Sequence, residues 1–407
     1  MVRLRSILHR LYTWPISPAV TRWIGRVFWG IGVPTGGEDS ASLTDADSIL
    51  VIRLDRIGDF VLSTSFLREL RRNAPKARLT LVVSADAYNL AETCPYVDEV
   101  IAVDTARVNP YRRWWRVLVF ARRRLAAGKY DLCILPRRGI DRNHATYLAF
   151  FSGSTRRVGF SERVHPLKCA WNRGYDRLLT DSILDAVEQH EVEHNLGLLS
   201  HLGALVENGE LELWWSEDDT AHVDRFIERN GFKESARIAA IAPCASDERK
   251  VWPPEGFIGV GKWLMQAYNT SLVVVGGECD RDLACRFVEE LGPDCASAAG
   301  ELTLRQTAAL LARCMVFVGN DSGPMHLAAA VKRPVVEICW FDPVDPSDDL
   351  VNANGFHPWG TPHEIVYPSG ADVTEGGERS RLPVHRVRSE DVRSALKSCL
   401  ERLPSSG

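Results

Sequence analysis

Four short stretches of the chain carry residue types and spacings that could do chemistry. In residues 316–331, VFVGNDSGPMHLAAAV, an apolar run stops at the polar turn Asn320-Asp321-Ser322-Gly323 and passes at once into a good helix former with Pro324 in its first turn. The first-turn N–H groups of such a helix lack internal partners and sit at the positive end of the dipole, so a glycine-lined approach to them suits a phosphate. The plainer reading is that Asp321 or Ser322 caps the helix. In residues 55–59, Asp55-Arg56-Ile57-Gly58-Asp59, two carboxylates lie between an apolar run and an amphipathic one, where one of them could accept a proton. Arg249 and Lys250 lie in the loop CASDERKVWPPEG (244–256), either as cations aimed at a ligand or as solvated charges.

The fourth stretch is HEVEHNLGLLSH (190–201), in which His190-Glu191-x-x-His194 matches a zinc-hydrolase pattern: histidines four apart share a helix face and the glutamate could activate a bound water. The third ligand is missing. Ser200 stands where the extended pattern needs histidine, and His201 lies seven residues past His194, roughly 10 Å along a continuous helix. Val192, Leu196 and Leu199 form an apolar stripe, which suggests instead a helix docked between two lobes. A P-loop-like segment, GFIGVGKW (256–263), has Trp263 where a magnesium-binding hydroxyl is needed and is discarded; no G-x-G-x-x-G follows a strand.

The elements that position these stretches alternate between strand and helix patterns. SILVIRL (48–54), LTLVV (79–83), VIAVD (100–104), YDLCILP (130–136) and RVGF (157–160) read as strands, with helices over 59–75 and 110–125. A second cycle begins near residue 236 with ARIAAIAP (236–243), SLVVVGG (271–277), the 316–318 run and PVVEICW (334–340), separated by helices ending near Tyr268 and Leu291 and closed by a terminal helix over 389–403. This alternation predicts an α/β protein of two Rossmann-like lobes, each a parallel sheet covered on both faces, with ligands beyond the carboxyl ends of the strands. The expected boundaries are 1–47, 48–205 and 206–407.

Composition agrees with a globular protein of that size: 407 residues, 45% hydrophobic and 25% charged. Ten cysteines without a CxxC pair suit free thiols in a reducing compartment rather than a disulfide framework, so an intracellular location is expected. The formal charge of −4 hides an asymmetry, since residues 1–200 hold 29 Lys/Arg against 21 Asp/Glu and residues 201–407 hold 20 against 32. The front half is therefore the expected partner of something anionic. Residues 1–34 carry five arginines and no acid, with apolar residues at helical spacing interrupted by Pro15 and Pro18. They read as two basic amphipathic helices, too charged to span a bilayer and suited either to lie on an anionic membrane surface or to pack on the protein itself. Residues 35–47 read as a linker.

Three stretches together, VIRLDRIGDFVLSTSFLREL (51–70), PCASDERKVWPPEGF (243–257) and GNDSGPMHLAAAVKRPVV (319–336), resemble glycosyltransferase family 9, the lipopolysaccharide heptosyltransferases. The resemblance runs from about residue 48 to the terminal helix. It implies a GT-B arrangement of two lobes facing a cleft, an acceptor-binding front lobe, a rear lobe for a nucleotide sugar, and inverting transfer with no metal and no cofactor beyond the donor itself, best known as ADP-heptose. On this resemblance Asp59 is the base, with Asp55 the second candidate, Gly58 and Arg56 beside them on the acceptor side, and Lys250 the cation that offsets charge on the departing diphosphate. Ser322, Gly323, Met325 and His326 would donate to the diphosphate, Asp321 would cap the helix or bind a sugar hydroxyl, and Glu278 would meet the donor ribose. The expected partners are a nucleotide sugar and an anionic lipid-linked glycan, with peripheral membrane contact through residues 1–34 at the cytoplasmic face and no nucleic acid. A zinc hydrolase using His190, Glu191 and His194, and a non-catalytic nucleotide- or membrane-binding module, are the competing readings.

Overall fold

A computed structural model describes residues 17–31, 43–105, 109–185, 187–232, 237–340, 353–368 and 384–402. The first of the two expected N-terminal helices, most of the linker and residues 370–383 of the polar tail lie outside the described residues. The chain forms two compact units, Met1–Gly209 and Glu210–Gly407.

The first unit is a six-stranded sheet in the order β3-β2-β1-β4-β5-β6, built from β1 (Ser48–Arg53), β2 (Arg78–Ser84), β3 (Glu99–Val103), β4 (Leu132–Leu135), β5 (Arg156–Phe160) and β6 (Asp181–Ile183). Every pairing is parallel. Ile49 to Ile52 are buried without alternation because a parallel strand is covered on both faces. The second unit repeats the order as β12-β11-β10-β7-β8-β9, from β7 (Arg237–Ala242), β8 (Thr270–Val274), β9 (Cys295–Ser297), β10 (Cys314–Asn320), β11 (Val335–Ile338) and β12 (His363–Val366), again all parallel. In each sheet the strand order reverses once, between β1 and β4 and between β7 and β10, which creates a crevice beyond the strand ends where ligands bind in such sheets.

The helices that bear on function are α1 (Pro18–Trp29), α2 (Ile57–Val61), α3 (Thr64–Asn73), α4 (Pro110–Phe120), α5 (Ala145–Ser152), α6 (Glu191–His201), α7 (Pro254–Tyr268), α8 (Gly323–Ala330) and α9 (Ser389–Glu401). The single helix expected over 59–75 is two. Ser63 Oγ donates to the Asp59 carbonyl at 2.8 Å and Thr64 Oγ1 to the Val61 carbonyl at 2.9 Å, so side-chain hydroxyls take carbonyls at the junction and the chain restarts at Thr64. The stripe of α6 packs on α3 within the first unit, and Asn195 Nδ2 donates to the Leu62 carbonyl at 3.4 Å.

The expected N-terminal extension is, over its described helix, part of the first unit. α1 is capped by Ser17 and ended by Gly30 at φ 62, and it packs on α4 and α5. Trp114 Nε1 donates to Thr21 Oγ1 at 3.1 Å, Trp29 meets Phe151 edge to face, and Gly25 lies against Phe150. A Cβ at Gly25 would sit 2.5 Å from a carbon of the fully buried Phe150 ring. Gly25→Val is therefore expected to destabilise the first unit by about 1–3 kcal/mol, the usual cost of overpacking, measured as a lowered urea midpoint at unchanged m.

Candidate active site

In the first unit the site is organised by Arg53, the last residue of β1, whose side chain is 1% exposed. A guanidinium carries five N–H donors in a rigid fork and needs partners when buried. Arg53 Nη1 donates to the Pro136 carbonyl just beyond β4, and Nε donates to the Asp59 carbonyl at 3.2 Å. Its charge meets Glu191 Oε1 at 2.9 Å, Asp55 Oδ2 at 3.4 Å and Asp59 Oδ1 at 3.5 Å. The arginine thus ties the ends of β1 and β4, the start of α2 and the start of α6 into one cluster at the strand-order reversal.

The two candidate carboxylates of the 55–59 loop differ in what is left free. Asp55 is 8% exposed and also accepts from Arg137 Nη1, so guanidinium groups bind both of its oxygens. Asp59 keeps 21% of its side chain exposed; Oδ2 accepts the Arg56 N–H at 3.1 Å, while the contact of Oδ1 with Arg53 is long, at 3.5 Å. Burial raises the Asp59 pKa above its ordinary 3.8, the Arg53 charge opposes that, and the Glu191 carboxylate raises it further. Gly58 is buried beside it in the first turn of α2, and the Arg56 side chain is exposed. Asp59 is the better-placed proton acceptor of the two.

The zinc pattern dissolves into three separate roles. His190 precedes α6 as its cap, its Nδ1 accepting the Val192 N–H at 3.2 Å; Glu191 is held by Arg53; His194 Nδ1 lies 2.6 Å from Asp185 Oδ2. His190 has extended backbone, so it does not share a helix face with His194. No cluster of three metal-ligating side chains occurs among the described residues. The hydrolase reading is corrected on these grounds.

In the second unit the corresponding position is the reversal between β7 and β10. Asn320, the last residue of β10, is fully buried; its Nδ2 donates to the Pro243 carbonyl at 2.8 Å and its Oδ1 accepts the Trp252 N–H at 3.1 Å. This amide fixes the loop after β7, and Lys250 on that loop reaches Asp321 Oδ2 at 2.5 Å. The pair is 18% and 15% exposed, and the Lys250 ammonium lies 5.6 Å from the centre of the Trp340 ring.

The cap expected of Asp321 or Ser322 is not made. Asp321 turns to Lys250, and Ser322, the capping position of α8, makes no side-chain cap, its Oγ donating instead to the Asn320 carbonyl at 3.1 Å. The first turn of α8 is left without that cap at the position where a phosphate was expected. Met325 departs from expectation: its side chain is fully buried and its N–H donates to the Ser322 carbonyl at 3.1 Å, so it offers no donor outward. Gly323 opens the helix. His326 is 5% exposed with Nδ1 buried and unbonded, and burial lowers its pKa to about 4, so it is a neutral hydrogen-bonding group at neutral pH. Glu278, beyond β8, is 71% exposed and paired with Arg281 at 2.8 Å.

Sequence reasoning missed Arg53, Asn320 and Glu337. Glu337, on β11, is 1% exposed, its Oε2 has no hydrogen-bond partner among the described residues, and burial together with the Asp321 charge raises its pKa well above 4.5, against the Lys250 charge. A signal existed: Arg53 and Glu337 are the ionisable residues in the strand runs SILVIR and VVEI, whose other positions are almost entirely apolar.

Residues 120–346 match the family model described as Glycosyltransferase family 9 (heptosyltransferase). The chain is similar to lipopolysaccharide heptosyltransferase 3 of Escherichia coli K12, at 25% identity over 288 residues covering 69% of this chain and 79% of that protein. Its fold is similar to the crystal structure of the glycosyl transferase family 9 from Veillonella parvula DSM 2008, with a TM-score of 0.72, 24% identity and coverage of 88% and 98%. It is also similar to the structure of the E. coli heptosyltransferase WaaC with ADP, with a TM-score of 0.62, 17% identity and coverage of 87% and 98%.

Glu191 raises the Asp59 pKa through space and also draws the Arg53 guanidinium toward itself. Carboxyl NMR titration is expected to find Asp59 above the ordinary 3.8, and Glu191→Gln is expected to move it downward. An unchanged or higher value in the variant would show that Glu191 does not act on Asp59.

Proposed function

Because the chain belongs to glycosyltransferase family 9, the heptosyltransferases, we propose that it transfers a heptose from ADP-heptose, with inversion and without a metal ion, to a lipopolysaccharide core or related anionic lipid-linked glycan. The class of reaction follows from the family. The donor, the stereochemistry and the absence of a metal requirement are the proposal, supported by the residues below and, for the nucleotide, by the ADP in the WaaC structure.

The observation that carries the mechanism is Asp59, a partly exposed carboxylate held by the Arg56 N–H, with a raised pKa. In the proposed reaction it takes the proton of the acceptor hydroxyl while that oxygen attacks the anomeric carbon on the face opposite the diphosphate. The new glycosidic bond forms as the bond to the diphosphate oxygen breaks, and the nucleoside diphosphate leaves with the electron pair. Lys250 and the start of α8 meet the charge that builds there. The approaching diphosphate competes with Asp321 for the Lys250 ammonium, so Asp321 holds the lysine in place before the donor arrives. Glu278 is the candidate for the donor ribose, standing beyond the end of β8. The basic balance of residues 1–200 supports an acceptor that carries phosphate or other acid groups.

Consumption of ADP-heptose on addition of acceptor, in chelator-treated buffer, tests the reading. Turnover that persists supports it, donor consumed only after a divalent cation is restored removes metal independence, and donor never consumed with any acceptor favours a binding module. Asp59→Ala is expected to lower kcat by about 10²–10⁴, the usual contribution of a general base. Lys250→Ala is expected to lower it by about 10²–10³, in the range found for removing one preorganised charge-stabilising group. Since the base works ionised, the acidic limb of the kcat/KM profile is expected above the ordinary carboxylate value of 3.8, activity rising with pH through it.

A further inference from the structure

A feature that the transfer reaction does not use lies on α1 and α4. Their inner sides are spent on each other and on the core, through the Trp114 to Thr21 hydrogen bond and the Arg122 guanidinium 5.6 Å from the centre of the Trp29 ring. Their outer sides carry Trp23, Phe28 and Trp115 at 60%, 66% and 58% exposure, with Val27 and Val119 one helical turn from Trp23 and Trp115. Large apolar side chains gathered in water on neighbouring helices mark a surface that meets something.

The charges carried by the two helices are of one sign. α1 contributes Arg22 and Arg26 and no acid, and α4 with the turn that follows it contributes six arginines. Beside α4 lies a cavity of about 520 Å³ with Trp115, Val119 and Phe120 in its wall and Arg116, Arg123 and Arg124 among its lining. Asp104, the acid in that lining, is paired with Arg116 at 3.5 Å.

We propose that the outer faces of α1 and α4 are a docking surface for a bilayer of anionic phospholipid, with the arginines around the largely apolar cavity meeting phosphodiester headgroups. Exposed tryptophan beside arginine is the side-chain mixture that settles at the interface of a membrane, the ring at the headgroup level and the guanidinium on the phosphate. A second copy of the chain would bring the same positive face and repel it. Among the described residues no helix is long and apolar enough to cross a membrane, so this contact is peripheral. It extends the membrane contact expected for residues 1–34 to a helix nearly a hundred residues further along the chain, and it does not depend on which sugar is transferred.

Sedimentation of the full chain with vesicles of phosphatidylglycerol in phosphatidylcholine, against pure phosphatidylcholine, tests the proposal. The wild-type chain is expected to prefer the anionic vesicles and to lose that preference as salt rises. Arg116→Ala, Arg123→Ala and Arg124→Ala combined are expected to lower partitioning about a hundredfold, at about fivefold for each arginine removed. The same three positions changed to lysine should retain most of it. Trp23→Ala with Phe28→Ala should weaken binding to both kinds of vesicle while leaving the salt dependence in place. All of these side chains except Arg116 lie outside the ion pairs described, so an unchanged urea midpoint is the control for folding. Equal binding to neutral and anionic vesicles, or triple-alanine binding like wild type, would overturn the proposal. Displacement from the vesicles by inorganic phosphate, at an ionic strength where chloride does not displace the chain, would overturn it in favour of a soluble-anion site, and a dimer lost in the variants would overturn it in favour of self-association.

Discussion

A guanidinium buried at the end of a central strand must be neutralised where it stands, and the first unit is built around how Arg53 is. Removing such a charge from water costs several kcal/mol unless its donors are met. They are met by two backbone carbonyls and by the carboxylates of Asp55, Asp59 and Glu191, which come from the strand end, the first turn of α2 and the start of α6. One side chain therefore ties the 55–59 loop to two segments distant in sequence, the end of β4 and the start of α6. Arg137 takes the other oxygen of Asp55. Of the three carboxylates, Asp59 has the longest contact to Arg53. Burial, reinforced by the Glu191 carboxylate and only partly offset by Arg53 and Arg56, raises its pKa.

The second unit reaches a similar end with a neutral group. Asn320 is an amide, so its burial incurs no charge penalty, and its donor and acceptor each close one contact with the loop after β7. That loop then delivers Lys250 to Asp321 at the mouth of α8. Of two further ionisable groups nearby, His326 is kept neutral by burial, and burial raises the pKa of Glu337. His326 therefore adds no fixed charge to the helix dipole and the lysine pair at the helix start. In both units the residues of interest stand where the strand order turns back, because only there do adjacent strand ends diverge enough to leave room for a ligand.

Much of this was legible in the sequence. The strand runs are long and apolar, as parallel strands covered on both faces must be, and the sharp stop at Asn320-Asp321-Ser322-Gly323 followed by proline announces a helix start. What was not legible depends on contacts between distant residues. The break at Leu62 and Ser63 comes from hydroxyls competing for carbonyls, which an amphipathic pattern over 59–75 does not reveal. HExxH looked like a metal motif because its spacing is right for a helix, yet the helix begins one residue later and leaves His190 outside it. Asp321 looked like a cap because of where it stands, and only the fold brings Lys250 to it across seventy residues of chain. α1, of basic amphipathic composition, could have lain free of the core; Gly25 and Thr21 decide that it packs, by letting Phe150 and Trp114 approach.

Arg53 holds Asp59, the proposed base, and Arg53→Lys separates that positioning from nucleotide binding because it keeps the charge and loses the fork. Steady-state turnover should be compared with ADP binding measured by thermal shift on the same preparation. The expected result is a kcat lower by about a hundredfold, the scale of a misplaced catalytic group, with an ADP-induced shift equal to that of the wild type. Turnover equal to wild type, or a loss of ADP binding in step with the loss of turnover, would contradict it.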